Sequence, residues 1–192
     1  MTAYLDNSAT TPVCSEAVEA MKTAVTELWG NPSSLHQKGI EADEMLENAR
    51  SNVARRLFCR DDEVYFTSGG TESNNLAVQG AAHAMRRRGR RIVTTSVEHP
   101  SIDETVKHLE NEGFEVIRLG VDKNGRISER ELFEAVTPDT ILVSIMAVNN
   151  ETGTIQPVEA ARTAVTRAKS PALVHCDAAF GKTAAQARGD GR

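Results

Sequence analysis

Four places in this sequence carry groups suited to holding a small charged molecule, and each directly follows a short apolar run. The first is Phe66-Thr67-Ser68-Gly69-Gly70-Thr71-Glu72-Ser73-Asn74-Asn75. Two glycines follow an extended stretch, and Thr71 opens a periodic helix through Leu76, Val78 and Ala81. A helix N-terminus offers unpaired N–H groups and a partial positive charge, and glycines let the backbone close around an anion. The same run is also an ordinary turn with a Thr cap and an acid in the first turn. The second place is Ser96-Val97-Glu98-His99-Pro100-Ser101, an imidazole just ahead of a helix. The third is Asn149-Asn150-Glu151-Thr152-Gly153, and the fourth is Asp177, preceded by His175 and Cys176. Singly, His99 reads as a helix-start residue, Asn150 as a turn residue and Asp177 as a cap. Together they offer an anion cradle, an aromatic ring, an amide and a carboxylate.

These groups need a scaffold that brings them together, and the hydrophobic periodicity supplies one. Helices are expected at 15–28, 36–57, 71–88, 101–112, 128–136 and 158–169. Strands are expected at 63–67, 91–95, 115–119, 140–147 and 172–176. The helix at 36–57 sets Ile40, Ala42, Met45, Leu46, Ala49, Val53 and Leu57 on one stripe. The run 140–148 is apolar nearly throughout rather than alternating, as a strand covered on both faces should be. The alternation predicts an α/β protein: a three-layer α/β/α sandwich with a mostly parallel sheet. In such sheets ligands collect at the C-terminal ends of strands. All four places stand there.

Bulk properties narrow the function classes. The chain has 192 residues, 40% apolar and 26% charged, enough for one substantial core. Its formal charge is −5, which gives no electrostatic reason to expect nucleic acid or an anionic membrane. The basic stretch Arg86-Arg87-Arg88-Gly89-Arg90-Arg91 reads as a solvated helix end. The N-terminus does not resemble a signal peptide, and no apolar run is long enough to span a bilayer. Cys14, Cys59 and Cys176 lie far apart with no C-x-x-C pair, so neither a metal site nor a disulfide framework is expected. A reducing cytoplasm is the expected compartment.

One cofactor suits the four groups. Pyridoxal 5′-phosphate needs a phosphate cup, a planar group against its ring, a donor to its phenolic oxygen and a carboxylate facing its pyridine nitrogen. With those residues identified, the sequence resembles the pyridoxal-phosphate-dependent cysteine desulfurases of the class V aminotransferase group. The runs that carry the resemblance are Tyr4-Leu5-Asp6-Asn7-Ser8-Ala9-Thr10-Thr11, Gly30-Asn31-Pro32-Ser33-Ser34, Phe66 to Asn75, Glu98-His99, Val148 to Gly153 and His175-Cys176-Asp177-Ala178. They occur in family order with family-like spacing, to about Lys182. The resemblance implies that Gly70 and Thr71 hold the phosphate and that His99 stacks on the ring and takes part in catalysis. It implies further that Asn150 reaches the phenolic oxygen and Asp177 pairs with the ring nitrogen. The implied fold is that of a type I aminotransferase, a homodimer. On that pattern residues 1–15 belong to a small domain, 16–182 to a partial cofactor-binding large domain, and 183–192 to a disordered tail. The implied reaction converts L-cysteine to L-alanine and leaves persulfide sulfur on the enzyme, for an iron–sulfur assembly or another sulfur-acceptor protein.

The departures are as specific as the matches. The family's cofactor-anchoring lysine lies in a Ser-x-His-Lys segment that this sequence lacks, and Lys182 matches a family position without a cofactor role. None of the three cysteines matches the family's persulfide cysteine, and Cys176 is expected to pack as a small apolar residue. The family's glutamine after the aspartate is absent, because Asp177-Ala178-Ala179-Phe180-Gly181-Lys182 is about two residues short. The chain therefore reads as the N-terminal half of a desulfurase, inactive alone and dependent on a complementing C-terminal half. The alternative is a non-catalytic relative, acting as an interaction module or a decayed product. An unrelated nucleotide-binding domain would leave His99 and the Asn149-Asn150 turn unexplained, and no Walker-type lysine follows the glycines.

Overall fold

In the computed structural model, residues 3–5 and 10–179 are described. They fall into two compact units, one within residues 1–66 and the other within residues 67–179. Asp6 to Ala9, Lys182 and the tail 183–192 lie outside the described residues.

The first unit holds two helices. α1 (Ser15–Thr26) buries none of its residues. α2 (Gln37–Leu57) starts on His36, whose Nδ1 accepts the Gly39 N–H, and ends on Phe58 in the left-handed region. Between them the Gly30-Asn31-Pro32-Ser33-Ser34 loop lies hard against the start of α2. A Cβ on Gly30 would sit 2.0 Å from the Lys38 carbonyl oxygen, and one on Gly39 would sit 2.1 Å from that of Ser34. Glycine is required at both positions by close backbone approach. Asn31 closes the turn by accepting the Ser33 N–H on its side chain and the Ser34 N–H on its carbonyl.

The strand expected at 63–67 does not form. Asp61–Glu63 make a 3-10 turn instead, and Val64 to Thr67 join no sheet among the described residues. β-propensity registers only when a neighbouring strand takes up the backbone hydrogen bonds.

The second unit is built as the periodicity predicts. In order come α3 (Gly70–Met85), β1 (Arg91–Thr95), α4 (Pro100–Asn111), β2 (Glu115–Leu119), α5 (Glu129–Ala135), β3 (Thr140–Ser144), α6 (Val158–Arg167) and β4 (Leu173–His175). The four strands pair in parallel in the order β2-β1-β3-β4. Successive strand residues feed opposite layers. Ile92 and Leu142 pack with Val78 and Ala82 of α3 and Ile102, Val106 and Leu109 of α4. Val93 and Val143 pack on the other side with Leu132 of α5 and Ala161 and Ala164 of α6. Every residue of β3 is buried, which is why it shows no apolar alternation. β1 and β3 lie in the middle of the sheet, and their C-terminal ends present the residues that matter below.

Candidate functional site

The site starts at the N-terminus of α3. The helix begins at Gly70, one residue earlier than expected, with Gly69 as its N-cap and no side-chain capping bond. Thr71 is therefore inside the first turn rather than the cap. The Glu72 carboxylate folds back to accept both the hydroxyl and the N–H of Ser68, at 2.6 Å each, and these bonds hold it below the usual carboxylate range. The backbone N–H groups of Gly70 and Thr71 have no acceptor among the described residues. A Cβ added at Gly69 or Gly70 would meet nothing within 4 Å. Packing within the chain thus gives no reason for glycine at either position, in contrast to Gly30 and Gly39.

His99 follows β1 and caps α4. Its Nδ1 accepts the Ser101 N–H at 3.1 Å and lies 2.8 Å from the Ser101 hydroxyl. Asn150 follows β3 in a turn held by its neighbour. The Asn149 side chain is buried, donates to the Val97 carbonyl and accepts from the N–H groups of Glu151 and Thr152. That leaves the Asn150 amide without a hydrogen bond among the described residues. Asp177 follows β4. Its Oδ1 accepts the Ala179 N–H at 3.0 Å and its Oδ2 accepts the Asn74 amide at 2.8 Å. Each carboxylate oxygen keeps further acceptor capacity.

All five residues singled out from the sequence, Gly70, Thr71, His99, Asn150 and Asp177, line one cavity of about 200 Å³. Asn74, Ser101, Met146, Val148 and Ala179 complete its wall. This is small beside the roughly 300–1,000 Å³ of whole ligand sites, as part of a larger site would be. The ordinary reading of each residue also holds: His99 caps a helix, Asn150 sits in a turn, and Asp177 binds the N–H two residues on. A residue can fix its own loop and still face a ligand.

Sequence reasoning missed Asn74, Ser101 and Asn149. Asn74 could have been found, because it falls on the buried stripe of α3 with Val78 and Ala82, where a polar residue needs a partner. Glu98, noticed only as part of a motif, ties β1 to β3. Its Oε1 accepts the Thr95 hydroxyl at 2.8 Å and the Met146 N–H at 2.9 Å, while its buried Oε2 has no partner among the described residues. Burial pushes this carboxyl up to about 7, against those two hydrogen bonds and with the Asp177 charge. Cys176 is exposed at its strand end rather than packed as expected, because β4 is an edge strand. Local desolvation, then the charges of Asp177 and Glu98, push its thiol up to about 11. The thiol thus stays protonated near neutrality, which suits no nucleophile. No lysine lines the cavity among the described residues. No cluster of three or more metal-ligating side chains and no helix able to cross a membrane occur among them either.

The profile of the aminotransferase class-V family matches residues 3–186. The chain belongs to that family. It is 54% identical over 156 residues to a NifS/IcsS protein homolog of Lactobacillus delbrueckii subsp. bulgaricus, covering 81% of this chain and 40% of that protein. It is 51% identical over 156 residues to the cysteine desulfurase IscS of Methanosarcina thermophila, covering 81% of this chain and 39% of the relative. Among solved structures, a NifS-like protein superposes with a TM-score of 0.88 at 44% identity, covering 92% of this chain and 48% of that one. SspA in complex with cysteine superposes at 0.82 with 35% identity, covering 90% and 50%. The chain thus spans about 40% of the length of the curated relatives it matches. The parallel α/β/α architecture and the family resemblance read from the sequence are both borne out.

Proposed function

We propose that this class-V aminotransferase chain forms the pyridoxal-phosphate-binding face of a cysteine desulfurase. The observation that carries the reading is the convergence of Gly70, Thr71, His99, Asn150 and Asp177 on one cavity. The fit rests on donors, acceptor capacity and a ring face that the described residues leave free. The N–H groups of Gly70 and Thr71 and the Thr71 hydroxyl can receive a phosphate at the positive end of the α3 dipole. The His99 imidazole offers a flat face for the ring. The Asn150 amide can donate to the phenolic oxygen, and the Asp177 carboxylate can hold a proton on the pyridine nitrogen. Bound there, the cofactor supplies an electron sink that labilises bonds of an amino-acid substrate.

The same reading takes L-cysteine as substrate and alanine as product, with sulfur passed to an acceptor protein. The lysine and the nucleophilic cysteine come from a complementing C-terminal half, such as the full-length family members carry within their homodimer. Residues 1–15 then serve a small domain and 16–182 part of a large one. The cytoplasm suits a protein whose three cysteines are all unpaired and whose substrate is a thiol.

Equilibrium dialysis of the purified chain against pyridoxal phosphate and against pyridoxal tests this. Pyridoxal phosphate should bind reversibly, and pyridoxal much more weakly. Asp177→Asn and His99→Ala should each weaken binding, and borohydride should trap no adduct at a cavity lysine. Equal affinity for the two compounds, or binding untouched by both substitutions in folded protein, would overturn the assignment.

A further inference from the structure

Asn74 and Ser101 join two of the site's groups that no spacing along the chain connects. Asn74 is buried on α3, and its amide nitrogen is 2.9 Å from the Ser101 hydroxyl and 2.8 Å from Asp177 Oδ2. The Ser101 hydroxyl in turn lies 2.8 Å from His99 Nδ1. The direction of every hydrogen follows from which atoms can donate. An ionised carboxylate only accepts, so the Asn74 group facing Asp177 must be its NH₂ rather than its oxygen. That NH₂ has two hydrogens, and the second points to the Ser101 hydroxyl. The Ser101 N–H can only donate, and it is directed at His99 Nδ1 from 3.1 Å, so Nδ1 must be the accepting nitrogen. The Ser101 hydroxyl, already accepting from Asn74, donates its own hydrogen to the same atom.

We propose that Asn74 and Ser101 are positioning residues: their side-chain hydrogen-bond chain locks the Asp177 carboxylate and the His99 ring together, while the Ser101 N–H fixes the neutral imidazole proton on Nε2. The chain runs from one strand end to another. It holds the carboxylate's orientation on one side of the cavity and the ring's orientation and tautomer on the other. Imidazole tautomers are set by the partner of the second nitrogen, and here that partner is built into the first turn of α4. The Nε2–H is then the ring donor left for a ligand. The consequence for cofactor binding rests on the pyridoxal-phosphate reading above, whereas the tautomer itself does not.

Two measurements separate these claims. In the cofactor-free chain labelled with ¹⁵N-histidine, His99 is assigned by the signal lost in His99→Gln. Its Nδ1 should then appear as the acceptor nitrogen and its Nε2 as the protonated one. Asn74→Asp replaces a donor by an acceptor of the same shape, so the Ser101 hydroxyl should turn away from His99 and the Nδ1 resonance should move toward that of a nitrogen held by one donor, the Ser101 N–H. Ser101→Ala should give the same shift, and Ser101→Thr should restore the original pattern. An unchanged His99 spectrum in folded Asn74→Asp and Ser101→Ala would overturn the proposal. In the dialysis experiment, Asn74→Ala should lower affinity for pyridoxal phosphate about tenfold, as loss of a charge-assisted bond does. A loss with Asp177→Asn but none with Asn74→Ala would overturn the positioning role. No loss with either variant, together with the expected shifts of the Nδ1 resonance, would instead overturn the cofactor reading and leave the relay standing.

Discussion

The two units place apolar residues very differently. In Thr67–Lys182 the apolar positions of β1, β3 and α4 are sealed, with Ile92, Ile102 and Leu142 at 0% exposure. In the first unit Val25 is 74% exposed, Trp29 67% and Leu35 97%. Both regions have helices with the right apolar spacing, yet among the described residues only one has a sheet to receive them. Amphipathic periodicity creates a face that can be buried. Whether it is buried depends on a complementary face elsewhere, and a parallel sheet supplies two.

The largest effect that tests this contrast is a core truncation. Ile102→Ala or Leu142→Ala should each cost about 2–5 kcal/mol in urea unfolding, since each removes a fully buried side chain. Val25→Ala on α1 should stay within about 0.5 kcal/mol. A comparable cost at Val25 would mean that the α1 face is covered in solution, and the contrast would fail.

The next effect is pH-dependent and belongs to the second unit. The folded Glu98 carboxyl is raised from 4.5 to about 7 by burial first, so the folded state binds its proton more tightly than the unfolded chain does. Its stabilising contribution is full below about pH 4.5 and is lost as pH rises through about 7. Glu98→Gln keeps an acceptor for Thr95 and Met146 without titrating. The variant should therefore gain on the native protein by about 3 kcal/mol between pH 4 and pH 8, read from parallel denaturation curves. A constant difference across that range would show that the carboxyl does not titrate as its burial dictates.

Glycines give a sharper comparison between the units. Gly39→Ala drives a Cβ to within 2.1 Å of a backbone oxygen and should cost about 1–3 kcal/mol. Gly70→Ala meets open space and should change stability by no more than about 1 kcal/mol. Thermal melts of the two variants suffice, and the reverse order would break the steric explanation. The smallest effect is expected at Arg118, whose guanidinium lies 2.7 and 2.8 Å from the two Glu110 oxygens and 3.4 Å from Asp103 on an exposed face. Arg118→Met should cost no more than about 1 kcal/mol, and less at high salt.

Most of the sheet was legible because its signals are local. β1 and β2 have the expected bounds, α5 and α6 lie within their expected spans, and α4 starts one residue early because Pro100 suits a first helical position. Strand ends were harder to read. β3 stops at Ser144 and β4 covers only Leu173–His175, although Ile145 and Ala147 still donate their N–H groups to the His175 and Asp177 carbonyls. Residues 63–67 look like a strand yet find no ladder, and Thr71 looks like a cap yet lies within the helix.

Residue types and their order determined the class of fold and the family and picked out five residues that meet in one cavity, because periodicity, glycines and a few reactive side chains are written along the chain. Tertiary structure alone decided that Asn74, on one helix, meets Asp177 more than a hundred residues away, and that a neighbouring helix orients the His99 ring. Hydrogen bonds between distant segments leave no spacing in the sequence. They exist only once the sheet has brought its strand ends together.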